Sequence, residues 1–406
     1  LRRFGSADGL RLSSVASVVE DPEGRVWLGG FGGVAGFVGR AFTIYDETDG
    51  LPSANTRPVM RDRRGRLWVG TVRGVVRNDG RGFQPVGVPE TYVFALYEDP
   101  RGHVWIGTES GLFVVTDEGV LTRPYGTVDK PVTSIVGRGD DVWLAFRSHG
   151  ITHVREGRAQ PLVVPDNPLS DARLLADSRG GLWVSGDLGL SVLRDGQWKL
   201  YGRADGLVHD RPYYLAEDAR GHLWFGYRAA VGVTTFDGTT FRTFRQGDGL
   251  AHDAVYDLGK DRQGNMWIGS ARGVDRYDGV RFYNYGPPEG FASTESNAGG
   301  FWADDDGTLW FGTGEGLCRF DPRLDIPAPA STPIRRLRVR LGEVELSRDG
   351  QAVPHDQSTL TASFDVLYFP HLRHMQVRAR VVGHSEQWQP LEIGRASCRE
   401  RVCYVV

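Results

Sequence analysis

The chain has 406 residues, 55 of them glycine, with 11% aromatic and 24% charged residues and a formal net charge of −3. Abundant glycine beside abundant aromatics fits short strands joined by tight turns and excludes a disordered chain. The near-neutral charge gives nucleic acid or an acidic membrane no footing, and no apolar run reaches the ~18 residues that a spanning helix needs.

Along the chain, Arg2, Arg3 and Phe4 read as the remnant of an outer strand, followed by the step Asp8-Gly9-Leu10. A hairpin sentence then appears as Asp21-Pro-Glu-Gly24-Arg-Val-Trp27-Leu-Gly29: strand end, glycine turn, new strand opening on an apolar residue and Trp. It returns from Asp62 to Trp68, Asp99 to Trp105, Asp177 to Trp183, Asp218 to Trp224 and Asp261 to Trp267. At Asp304, Asp305, Asp306 and Trp310 it is read as one residue shorter or re-registered on its Asp run, and at Trp143 a degenerate copy lacks the Gly turn. The eight tryptophans lie 41, 37, 38, 40, 41, 43 and 43 residues apart. That period, with four short strands per unit, is the signature of a propeller blade.

In the sixth unit, residues 211–217 form the expected innermost strand, Leu223-Trp224-Phe225 open the second, residues 232–236 the third and 241–244 the fourth. A step like Asp8-Gly9-Leu10 leads to the next blade at Asp49, Asp205 and Asp248, and loosely at Glu289. One such sheet has two apolar faces and cannot bury them alone, so the blades stack around an axis with the Trp as inter-blade filler. The repeats end on a third strand at Phe320, so the first strand is placed to complete the last blade. Eight blades are then expected; seven, with one left over from a neighbouring ring, is the alternative. The fold class is all-β: a propeller of seven or eight four-stranded blades over residues 1–325, plus the beginning of a β-sandwich.

The repeated Asp-x-x-Gly-x-apolar-Trp-x-Gly-Thr, followed by Gly-Leu, resembles the two-component regulator propeller repeat. Thr71, Thr108 and Thr313 keep its Thr, whereas Gly30, Phe146, Gly186, Tyr227 and Ser270 depart from it. A proline-rich linker at 326–333 follows, then strand-like runs at 334–341, 364–369 and 377–381. Residues 334–391 are similar to the start of the triple-tyrosine β-sandwich module, although Ala379 and Val381 replace its usual aromatic. The resemblance implies the extracytoplasmic (periplasmic) sensor of a membrane histidine kinase, hybrid kinase or diguanylate cyclase. A ligand on the propeller, often an oligosaccharide in gut bacteria, is then relayed through the sandwich to a transmembrane helix and output domain, commonly in a dimer. The start at Leu1, without a signal pattern, reads as a piece of a longer chain. Residues 392–406 read as translated adapter sequence foreign to the sandwich; they hold Cys398 and Cys403, which leaves Cys318 without a disulfide partner.

Propellers take ligands at the channel mouth, where loops before the innermost strand and loops between the second and third strands converge. The second set carries Arg73, Glu109, Arg147, His149, Asp187, Tyr227, Arg228, Arg272 and Glu315. The first set carries Asn55, Arg57, Tyr92, His209, Arg211, Tyr213, His252, Tyr256 and Asn297. These positions vary while Gly and Trp recur, as expected of a scaffold with a variable site; the bland alternative is a rim of solvated charges. Collectively they suit a sugar or other polar small molecule, and blade six, with its insertion after Tyr227, is the preferred place. No His-Glu-x-x-His or Cys-x-x-Cys is present, so no metal and no cofactor are expected. The acidic run at Asp304 to Gly307 has Leu309 where a calcium loop requires Gly, and reads as a hairpin turn. The reading is of a non-enzymatic sensor; a propeller lyase, glycosidase or quinoprotein, or a protein-interaction scaffold, is the alternative.

Overall fold

In the computed structural model, the described residues are 1–124 and 130–325, together with the strand residues 334–341, 344–346, 360–366, 377–381, 389–391, 396–398 and 403–405. The chain divides into two compact units, Leu1–Pro322 and Arg323–Val406. The linker expected at 326–333 lies outside the described residues.

The first unit is eight antiparallel four-stranded sheets. Blade one runs Ser14–Glu20, Val26–Phe31, Gly33–Val38 and Ala41–Tyr45. Blade six runs Pro212–Glu217, Leu223–Tyr227, Val233–Phe236 and Phe241–Phe244, as its sequence predicts within a residue or two. The innermost strands of the other blades are Thr56–Arg61, Val93–Glu98, Val132–Arg138, Leu174–Ala176, Val255–Lys260 and Ser296–Ala303. Each innermost strand neighbours that of the next blade, and the last neighbours the first, so the units form a circle. Arg2–Phe4 closes it as the outer strand of blade eight, pairing Arg3 with Cys318 and Phe4 with Leu317. The ring therefore has eight blades, and no unit is left over.

Each Trp lies in one of eight apolar clusters, and each cluster joins a blade to its successor. Trp224 packs on Val255, Met266 and Ile268 of blade seven, and Trp310 of blade eight on Val18, Leu28 and Phe37 of blade one. The turn Asp holds the indole in place. In seven blades its Oδ2 accepts the indole N–H, from 2.5 Å at Asp304–Trp310 to 3.1 Å at Asp218–Trp224. The separation is six residues at Asp304 as in every other copy, so blade eight is not shortened or re-registered. Blade four has Gly137 in place of the Asp six residues before its Trp; there Trp143 stacks on His153 at 5.1 Å, and His153 Nε2 lies 2.6 Å from Asp141.

Two glycines of the sentence have separate causes. The turn glycines, such as Gly221 at φ 77°, occupy the left-handed region. The glycine two residues after Trp sits where the next blade comes close: a Cβ on Gly70 would lie 2.7 Å from Val93 Cγ1, and one on Gly312 2.4 Å from the Val15 carbonyl. The Asp-Gly-Leu step is a 3-10 turn whose acidic residue accepts the N–H at its start, as Asp205 does from Gly202 at 2.8 Å. It drops Leu10, Leu51, Leu207, Leu250 or Phe291 into the inter-blade core at five junctions.

In the second unit, Ile334–Leu341 pairs with Val344–Leu346 and Leu360–Val366, and Val377–Val381 with Gln389–Leu391. Ala396–Cys398 and Cys403–Val405, within the segment read as foreign, pair with Leu360–Val366 and Val377–Val381.

Removing an indole from this core leaves a cavity between two sheets. Trp224→Ala should cost about 3–5 kcal/mol in chemical denaturation. Asp218→Ala, which orphans the buried indole N–H, should cost about 1–3 kcal/mol. A loss below about 1 kcal/mol for Trp224→Ala would show that the blades do not depend on the wedge.

Candidate functional site

The innermost strands share a device that the sequence does not announce. Pairing with the second strand shifts by one residue between Val15 and Ser17, Val93 and Ala95, Val132 and Ser134, Pro212 and Tyr214, and Val255 and Asp257. A one-residue shift also lies between Thr56 and Val59, and a larger one between Ser296 and Phe301. A bulge leaves a residue out of the ladder and re-aims its side chain. The residues so released are Ala16, Arg57, Phe94, Thr133, Tyr213 and Tyr256, with residues 297–300 in blade eight. In blade five no such shift is described: Arg173, following the buried Ala172, stays beside the second strand, its carbonyl accepting the Ser185 N–H at 2.9 Å.

Around blades five and six these side chains meet. Arg173 lies over the Tyr213 ring at 4.4 Å, hydrogen-bonds its hydroxyl, reaches the Thr133 carbonyl at 3.4 Å and pairs with Asp171 at 3.2 Å. Arg228, from the blade-six insertion, also lies over Tyr213, at 3.8 Å, and pairs with Asp171 at 3.3 Å. Beside them Arg211 pairs with Asp187 at 3.3 Å, and Ser170 donates to Asp187 at 2.5 Å. His209 accepts the Arg211 N–H at 3.1 Å. A second group sits at blades three and four, where Tyr92 packs on Phe94 at 4.6 Å, Arg147 lies over Phe94 at 4.9 Å and Arg147 pairs with Glu109 at 3.3 Å. His149 Nδ1 contacts the Arg147 carbonyl at 2.6 Å.

The structure thus gathers Arg211, Asp187, Tyr213 and Arg228 in one group, and Tyr92, Glu109, Arg147 and His149 in another. Arg57, Arg73, His252, Arg272 and Glu315 make their described contacts elsewhere: Arg57 over Phe31, Arg73 to Glu90 and His252 to the Ala254 N–H. Arg272 and Glu315 donate only their backbone N–H, to Ser270 and Thr313. Asn297 is spanned by the ring closure, donating to Ser14 and the Val15 carbonyl.

Tyr227 is a correction. It is 1% exposed, in the core between blades five and six, and not at the mouth. It stands where other blades carry a Thr bonded to a glycine carbonyl, and its longer side chain donates instead to Thr234 at 2.9 Å. Burial pushes its phenol up to about 12.

Sequence reasoning missed Phe94, Asp171, Arg173 and Asp257. For Phe94 the available signal was position, since it directly follows the buried Val93 that opens its innermost strand. Asp257 in blade seven accepts the Phe301 and Leu258 N–H groups, each at 3.0 Å, and desolvation pushes its carboxyl up to about 7. A cleft of about 450 Å³ lies at the opposite end of the ring, between the hairpins of blades five and six, lined by Arg179, Trp183, Arg194, Lys199 and Tyr201. Among the described residues, no three His, Cys, Asp or Glu side chains are placed to hold a metal ion, and no helix is long and apolar enough to cross a membrane.

Core and rim make opposite demands on stability. Tyr227→Ala should cost about 3–5 kcal/mol in urea unfolding, and Tyr213→Ala less than about 1.5 kcal/mol. Equal losses would place both tyrosines in the same environment.

The family described as two component regulator propeller matches residues 87–110 and 249–272, which span the entry to blades three and seven. No curated protein matches the chain. Among solved structures, the chain is similar to virginiamycin B lyase from Staphylococcus aureus, at 14% identity over 64% of this chain and 92% of that one, with a TM-score of 0.52. It is similar to the computationally designed Ika8 protein at 16% identity over 76% and 96%, with a TM-score of 0.58. The extracellular domain assigned to the hybrid two component system BT3049 of B. thetaiotaomicron aligns at 15% identity over 96% and 73%, with a TM-score of 0.32. At these identities the lyase and the designed protein speak to the fold alone. The matched segments each hold the innermost strand, its bulge and the Asp–Trp hairpin that recur around this ring, and these two segments are the ones that match the two-component regulator propeller repeat.

Proposed function

We propose that the ring is the ligand-sensing region of an extracytoplasmic two-component receptor, and that it takes a polar small molecule or oligosaccharide at the mouth over blades five and six. The observation that carries the reading is the Asp171–Arg173–Tyr213–Arg228 group. It is made from a bulge, an insertion and a loop set on a scaffold whose other positions are fixed by packing. Arginine offers a planar fork of donors to hydroxyls or carboxylates, and Tyr offers a face for a sugar ring. Asp171 holds both guanidiniums in place before any ligand arrives, which lowers the ordering cost of binding.

The reading is of binding, not catalysis. The mouth arginines pair with Asp171, Asp187 and Glu109, an arrangement that positions donors and leaves no described carboxylate–histidine couple beside them. The repeat family supports an output through a downstream transmembrane helix to a kinase or cyclase, with the second unit as the relay and the ring in the periplasm.

A thermal-shift screen over neutral and acidic oligosaccharides tests this. With any hit, Arg228→Ala and Tyr213→Ala should weaken binding at least about tenfold, the worth of one or two charged hydrogen bonds. Arg73→Ala, whose partner Glu90 lies apart, should stay within about twofold. Unchanged affinity in both blade-six variants would move the site elsewhere.

A further inference from the structure

In five blades the residue four places after the turn Asp lays its side chain on that carboxylate. Arg25, Arg66 and Asn265 reach Asp21, Asp62 and Asp261 at 3.9, 2.5 and 2.8 Å, and His103 and His222 lie 3.4 and 3.5 Å from Asp99 and Asp218. Blade five carries Gly181 there and has no such side chain. Arg194, at the end of the third strand, takes the vacated place. It reaches Asp177 at 2.6 Å, and a Cβ on Gly181 would lie 2.9 Å from its guanidinium. Register sets Arg194 where blades two, six, seven and eight carry Asp79, Asp237, Asp278 and Asp321. Blade five therefore presents a cation at a step where half the blades present an acid.

The exchange opens and charges the cleft between the hairpins of blades five and six. Its volume is about 450 Å³, within the range of small-molecule sites, whereas the same junction one blade on, where His222 stands in the position of Gly181, leaves about 220 Å³. Trp183, Val192, Leu223 and Phe236 give the cleft a buried apolar floor, and Arg179, Arg194 and Lys199 line it as exposed cations. Arg179 follows the turn Asp by two residues, as Arg64 and Arg101 do, but those two pair with Asp117 and Asp140 of the next blade. The Arg179 guanidinium instead donates to the Arg220 carbonyl at 3.1 Å, beside Gly221 and Gly238. Lys199 lies over the Tyr201 ring at 4.4 Å. Among the described residues, neither Arg179 nor Lys199 has a carboxylate partner. Two acids line the cleft. Asp177 is 3% exposed and already accepts the indole, Arg194 and two backbone N–H groups, and Asp195 sits at the hairpin tip with φ 50°.

We propose that this cleft is a second binding site, separate from the mouth, and that it takes a small oxyanion carried on a ring: a carboxylate or sulfate borne by a sugar or by an aromatic acid. Arg179 offers a planar fork of donors and Lys199 a compact charge, the two groups that hold carboxylate and sulfate oxygens. The apolar floor takes the face of the ring. Arg194 is held by Asp177 before any ligand arrives, so it adds positive charge without an ordering cost. The two cations without carboxylate partners outnumber the one exposed acid, which sets the sign of the ligand.

Titration calorimetry on the whole chain tests this, with D-glucuronate and benzoate as ring acids, D-glucose and benzyl alcohol as their neutral counterparts and sodium sulfate as the bare anion. At least one ring acid should bind saturably at a single site, about tenfold or more tighter than its neutral counterpart and than sulfate. Which acid binds separates a sugar source from an aromatic one. Arg179→Gln and Lys199→Gln, both at exposed positions, should each weaken that binding about three- to tenfold. Gly181→His, which restores the side chain of blades three and six and displaces Arg194, should weaken it further, with the melting transition showing that the ring is still folded. The mouth variants Arg228→Ala and Tyr213→Ala should stay within about twofold of the wild type, so that this site and the mouth can fail separately. Absence of saturable binding for both acids overturns the proposal. So does equal binding of the neutral compounds or of sulfate, or unchanged affinity in both glutamine variants.

Discussion

The ring depends on the hydrogen bond between an indole N–H and the carboxylate at the preceding turn. An indole wedged between two sheets brings a large apolar face and one polar atom that needs a partner. In seven blades the turn Asp supplies that partner and, with few exceptions, orders the hairpin through its other oxygen. The same carboxylate therefore links turn geometry to inter-blade packing. Blade four shows the constraint by its exception, since with Gly137 in place of the indole-binding Asp its Trp143 is flanked by a stacked His153 that is tied to Asp141.

Close approach of the blades has a second consequence. The glycine after Trp-x removes a Cβ that would collide with the neighbouring innermost strand, and that strand then bulges near its start. In most blades the bulge leaves a residue outside the ladder. Such positions can change in chemistry at small cost to the core, and this ring holds Ala16, Arg57, Phe94, Thr133, Tyr213 and Tyr256 there. Function and packing are thus separated along a single strand, with the buried Val93 or Val255 beside the released Phe94 or Tyr256.

Much of the scaffold was legible because its causes are local and repeated. The period of the tryptophans, the glycine turns and the Asp-Gly-Leu steps each follow from one unit's chemistry and recur often enough to reinforce one another. The site was less legible. Tyr213, Arg228, Arg211 and Asp187 could be placed in neighbouring loops, but Tyr227 was assigned to the mouth and lies in the core, where its phenol meets Thr234. Asp171 and Arg173 carry no motif; they matter only because Tyr213 and Arg228 come from the next blade to meet them.

By itself the sequence determined the repeat, the strand content and the role of each Trp, since these depend on residues within about ten positions of one another and on the need of a small sheet to bury both faces. Only the tertiary structure decided that the blades number eight, that Arg2–Phe4 completes the last of them, and which charges face each other across a junction. Closure is a property of how many twisted sheets complete a turn. A pairing such as Arg228 with Asp171 joins residues far apart in the chain that no local pattern connects.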